Sequence, residues 1–213
     1  VSEPTMRQNP LYENRFDDPA VAALVVAVLS FVLGGLTAYA QTVLPYSMFS
    51  LANSANGWTA LMVVLLLWVR PGVRLAAVLG SVSGVLLMLG YTAALALYGH
   101  AYDPLLWTLS GAVAGPFIGV ATAWLRERGG RAALGTAALT GVTIGESLYG
   151  LTAVSQSTSP VYWTVSGLAG LLFLLGMLAW RIRGWAPLVL TLAGTAAVVV
   201  VFIPVFGTVG TYA

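Results

Sequence analysis

The chain of 213 residues has no cysteine, no lysine and one histidine, His100. Without cysteine there are no disulfides, thiolate nucleophiles or Cys-ligated metals. Without lysine there is no retinal Schiff base, which would otherwise come to mind for a seven-helix membrane protein, and no P-loop lysine for a nucleotide. A lone imidazole leaves histidine-based metal sites and triads without enough members. Charge is scarce as well. Only 8% of residues are charged, against roughly a quarter in an ordinary soluble domain, and 59% are apolar. These values exclude a soluble fold. The net charge of +2 is a small difference between nine arginines and seven acids, so no nucleic-acid partner is expected.

What is present is a series of long apolar runs. A helix crosses a hydrocarbon core of about 30 Å with roughly 20 apolar residues. Seven segments qualify, near 20–40, 51–69, 75–98, 105–125, 132–154, 161–180 and 186–206. The expected fold is an all-α integral membrane protein of about seven transmembrane helices: a polar cytoplasmic tail over 1–18, then a single helical domain over 19–213. Asp18-Pro19, Asp103-Pro104 and Ser159-Pro160 each pair a short capping side chain with a proline at the first helical position. The 51–69 segment is the weakest, because Asn53, Ser54 and Asn56 fall in its first turns. Ala38-Tyr39-Ala40 has the form of a signal cleavage site, but the apolar run before it exceeds a signal core, so cleavage is not expected.

All nine arginines fall on one side of this layout. Arg7 and Arg15 precede the first span. Arg70 and Arg74 lie between the second and third, Arg126, Arg128 and Arg131 between the fourth and fifth, and Arg181 and Arg183 between the sixth and seventh. The positive-inside rule then puts the N-terminus in the cytoplasm and the C-terminus outside. Trp68, Trp124 and Trp180 stand 56 residues apart, each just before an arginine turn. One leading helix and three parallel-repeated hairpins follow from that spacing, although Trp beside Arg is also common at any membrane boundary.

Small residues recur at helical spacing: Gly80 and Gly84, then Gly111, Gly115 and Gly119, then Gly141 and Gly145. They allow close helix packing in lipid, within the chain or against a membrane protein partner. Pro116, inside the fourth span, should kink it.

Glu146 is the only acidic residue within any expected span. Leaving it unpaired at the bilayer centre costs several kcal/mol, on the order of 3 by insertion scales. Fifteen residues beyond Arg131, it sits about 22 Å up its helix, sharing a face with Thr143, Tyr149 and Gly150. It is read either as the floor of an outward-facing pocket or as a group hydrogen-bonded to Tyr, Ser or Asn that locks the fold. The outer half also gathers Asn53, Asn56, Trp58, Tyr91, Trp107, Tyr162 and Trp163. These suggest an aromatic and polar cavity around Glu146, or an interfacial belt, with Asn53 and Asn56 as helix caps.

Leu51-Ala52-Asn53-Ser54-Ala55-Asn56-Gly57-Trp58, Gly145-Glu146-Ser147-Leu148-Tyr149-Gly150 and Thr158-Ser159-Pro160-Val161-Tyr162-Trp163 resemble an uncharacterised family of small actinobacterial membrane proteins, over about 34–183. That resemblance implies a multi-pass protein of the bacterial plasma membrane and brings no activity. A looser similarity is to the substrate-capture subunits of energy-coupling-factor vitamin transporters. It would give Ala23 and Ala27 of the first helix a partner-facing role, but those subunits have six spans.

The leading functional expectation is a small-molecule-binding or transport protein with an outward-facing cavity around Glu146. The alternative is an accessory or structural subunit of a larger membrane complex with no ligand of its own. An enzyme is not expected, because no paired acids, metal cluster or activated nucleophile is assembled. The partners implied are the lipid bilayer, a membrane protein at the small-residue faces and a small-molecule ligand. No cofactor follows from these residues.

Overall fold

A computed structural model describes Phe16 and residues 18–210. The tail expected over 1–18 lies outside them apart from Phe16 and Asp18. Seven α-helices follow one another: α1 Pro19–Val43, α2 Ala55–Val69, α3 Val73–Leu97, α4 Leu105–Trp124, α5 Gly130–Thr152, α6 Pro160–Trp180 and α7 Trp185–Gly210. A 3₁₀ segment, Tyr46–Asn53, precedes α2, and no strand occurs among the described residues.

Local chemistry sets the helix starts. The Ala20 N–H donates to Asp18 Oδ1 at 2.7 Å with Pro19 in the first position, and the Val161 N–H donates to Ser159 Oγ at 3.3 Å with Pro160 there. Asp103 accepts from the Leu105 N–H at 2.9 Å, and α4 begins at Leu105 as the expected span does, but Pro104 is the capping residue and not the first helical one.

By length and composition, α1, α3, α4, α6 and α7 can cross a membrane. The 3₁₀ segment and α2 make a sixth crossing if taken together, bent by 59°. The expectation of seven spans therefore reduces on these criteria to five or six. The helix that does not qualify is α5, which carries Arg131 and Glu146 among glycine, alanine and threonine. Twelve of its 23 residues are buried, where it packs against α4, α6 and α7. A helix wrapped by its neighbours needs less apolar surface than one facing lipid. By contrast, α7 leaves Val189, Leu192, Val200 and Val201 exposed, as a lipid-facing helix does.

Glycines bring the backbones together. A Cβ on Gly115 would collide with the backbone of Gly80 and Ser81, one on Gly119 with the Ala76 carbonyl, and one on Gly84 with Gly111. The α3 and α4 stripes thus fill each other. Gly34 of α1 lies on the Leu87 carbonyl and Gly90 of α3 on the Phe31 carbonyl. Gly90 follows Gly34 by 56 residues, as Leu87 follows Phe31, so the contact between α1 and α3 is reciprocal. Gly141 and Gly145 meet Val198 and Phe202 of α7. The faces expected to serve a membrane partner are thus covered by the chain's own helices. Ala23 and Ala27 are half-buried, with Ala23 against an apolar cluster of Ala22, Val26, Leu65, Leu66, Val69 and Leu79.

Pro116 lacks the N–H that would bond the Ala112 carbonyl four residues back. Ser81 of α3 supplies the missing donor, its hydroxyl reaching that carbonyl at 2.9 Å, as neighbouring hydroxyls do for prolines in membrane helices. Arginines tie the turns together at the other end. Arg126 donates to the Pro71 carbonyl, and Arg181 donates to the Arg126 carbonyl at 3.3 Å, each reaching back 55 residues.

Candidate functional site

The site begins with a helix that starts inside the bundle. Fifteen residues make α2 about 22 Å long, short of the roughly 30 Å core. Its lower end is closed by Arg70 in the left-handed region, φ 58°. Its upper end stops where the chain folds back into the 3₁₀ segment, an approach so tight that a Cβ on Gly57 would strike the Leu51 carbonyl. The first N–H groups of a helix have no partner within it. Here Ser54 is the cap, its Oγ accepting from the Gly57 N–H at 3.0 Å.

Glu146 supplies the rest. Its two oxygens accept from the Ala55 N–H at 2.7 Å and the Asn56 N–H at 2.5 Å, and it is 1% exposed. A carboxyl group from α5 thus sits against the positive end of α2. The depths agree, since Asn56 lies about 21 Å along α2 from Arg70 and Glu146 about 22 Å along α5 from Arg131. Asn56, also buried, donates from Nδ2 to the Thr143 carbonyl at 3.1 Å and to Ser166 Oγ at 3.0 Å. Its Oδ1 is buried without a partner. Ser54 Oγ also pairs with Tyr162 Oη at 2.6 Å. Trp163 stacks edge-on against Tyr162, with centroids 4.7 Å apart, and donates to Thr158 Oγ1 at 2.8 Å. Helices α2, α5 and α6 are joined at this point by one polar network.

Residues 13–211 match a family of unknown function. The chain belongs to the DUF6518 family. No curated protein and no solved structure matches it. The part of the chain covered by the family includes every residue of the network, and the family description adds no activity to it.

Of the nine residues expected to share one cavity, seven fall into two groups. Glu146, Asn56, Tyr162 and Trp163 form the first. Trp58, Tyr91 and Trp107 belong to a second, centred on Ala38, Met88 and Tyr91. Trp58 and Tyr102 each meet the Tyr91 ring edge-on at 5.6 Å. Gln41 bonds Tyr91 Oη at 3.2 Å and, with the Trp58 indole N–H, holds the Ala52 carbonyl at the end of the 3₁₀ segment. Burial, then Tyr91 and Asp103, push the Tyr102 phenol above its ordinary value, so it stays protonated. Tyr149 and Trp107 both contact the ring of Phe206, with centroids 5.4 and 6.1 Å away. Asn53 is exposed and caps nothing, because that part falls to Ser54. Sequence reading missed Ser166, Phe206 and the backbone donors, and also Ser54, whose position three residues before Gly57 was the available signal.

Among the described residues no group of three or more His, Asp or Glu is placed to hold a metal. Glu146 itself is enclosed by its neighbours. A shallow groove lies beside Ser81 and Pro116, and a cavity of about 180 Å³ lies between arginines at the opposite end.

Proposed function

We propose that this is a multi-pass protein of the bacterial plasma membrane that binds or transports a small molecule by opening its broken second span at Glu146. The observation that carries this reading is the carboxyl group of α5 held by the first two N–H groups of α2. Discontinuous helices with an exposed positive end form the midplane sites of many carriers, where an anionic group of the substrate meets the helix end. In this chain a side chain of the protein occupies that position. Neutralising it with a proton or a cation, or displacing it with a ligand carboxylate, frees the start of α2 and the 3₁₀ segment. The aromatic group of Trp58, Tyr91 and Trp107 then forms the outer wall of the space. In this reading α5 is a seventh crossing sheltered by its neighbours, the arginine turns face the cytoplasm, the N-terminus is inside and the C-terminus outside.

Native mass spectrometry of the protein in mild detergent tests the proposal. The expected result is a small molecule retained by wild type and lost from both Glu146→Gln and Asn56→Leu at a temperature where the variants remain folded. An empty wild-type protein that co-purifies with a stoichiometric membrane partner overturns it in favour of an accessory subunit.

A further inference from the structure

A second site stands at the opposite end of the molecule and is independent of Glu146. Between the turn joining α4 to α5 and the turn joining α6 to α7 is a cavity of about 180 Å³ lined by Arg128, Gly129, Trp180, Arg181 and Arg183. Three of its five lining residues are arginines and none is acidic. The neighbouring carboxylate, Glu127, is held by Arg131 at 3.0 Å. Arg181 directs one N–H to the Arg126 carbonyl, which fixes one wall against the other. Ile182, between the two exposed arginines, is 5% exposed and pins the turn to the protein.

Two further features define what fits. Gly129, in the cavity wall, is the capping residue of the 23-residue helix α5, and no side chain caps that helix. The positive end of α5 is therefore next to the cavity, where it favours an anion. In the topology proposed above, the cavity falls at the level of the membrane surface. Trp180 and Trp185 are 80% and 79% exposed beside it, as indoles at a headgroup boundary are. Along α6, the exposed Leu168, Leu172 and Leu175 form one helical stripe leading to the same turn. A ligand with a multi-oxygen anion at one end and an apolar chain at the other matches all of these features.

We propose that this cavity holds the phosphate of an anionic phospholipid, with the guanidinium groups on the phosphate oxygens and an acyl chain along the leucine stripe of α6. Planar guanidinium forks suit phosphate, and basic pockets between membrane helices are a recurrent mode of headgroup recognition.

The test uses the full chain in mild detergent, given equal amounts of phosphatidylglycerol and phosphatidylcholine with identical acyl chains. Bound lipid is counted by native mass spectrometry. Wild type is expected to retain phosphatidylglycerol preferentially. R128Q/R183Q leaves the Arg181 tie in place and should lower the phosphatidylglycerol affinity by roughly 30-fold. R70Q/R74Q, with the same charge change outside the cavity, should leave it unchanged. Equal retention of the two lipids by wild type overturns the proposal whether or not a variant folds. Equal loss in both double variants overturns it too, because the attraction is then diffuse surface charge. Millimolar inorganic phosphate is expected not to displace the lipid, and displacement would assign the cavity to a soluble oxyanion instead.

Discussion

Glu146 accepts two N–H groups that no other residue serves within α2, so its replacements separate by the number of acceptors they keep. A glutamine offers one carbonyl oxygen and turns an amide against the other donor. An alanine offers nothing to either. Each buried donor left unsatisfied costs about 1–3 kcal/mol. Glu146→Gln should therefore lower stability by about that amount, and Glu146→Ala by roughly twice as much. Thermal unfolding in detergent checks the ranking, and an alanine variant melting with wild type would contradict the cap. The residue itself was legible from sequence as the one acid inside an apolar run. Its partners were not, because backbone N–H groups carry no signature in the residue types that bear them.

The helices are the most legible level of the structure. Apolar runs between arginine turns place all seven within a few residues. Two features escaped, each for a non-local reason. The break ahead of α2 showed in sequence only as polar Asn53, Ser54 and Asn56, while the fold-back depends on Gly57 lying against Leu51. The low apolarity of α5 makes sense only once α4, α6 and α7 are seen to enclose it. Packing between elements gives the next prediction. A side chain at Gly115 must push α3 and α4 apart, because it meets the backbone of Gly80 and Ser81, whereas Gly72 has open space around it at φ −64°. Gly115→Val should lose about 1–3 kcal/mol by overpacking, and Gly72→Ala, at the cap of α3, should lose less than about 1 kcal/mol. A pair of melting curves distinguishes them. Equal melting would mean that the two helices are not in contact through their glycines.

At the scale of the whole molecule, the absence of cysteine makes sidedness directly measurable. Gln156 and Gly130, both exposed, lie at opposite ends of α5 and its flanking turns. With the arginine turns inside, Gln156→Cys should react with a membrane-impermeant maleimide on intact cells, and Gly130→Cys only after permeabilisation. The reverse pattern would invert the proposed topology without disturbing the fold.

The arginine ties between turns also bear on how the chain is made. In both, the carbonyl that accepts lies 55 residues ahead of the guanidinium that donates. A ribosome delivers the acceptor first, so each newly inserted hairpin finds its anchor already in the membrane. Assembly is then vectorial: a nascent chain halted after α5 already possesses the earlier latch, and only the last one waits for α6 to arrive.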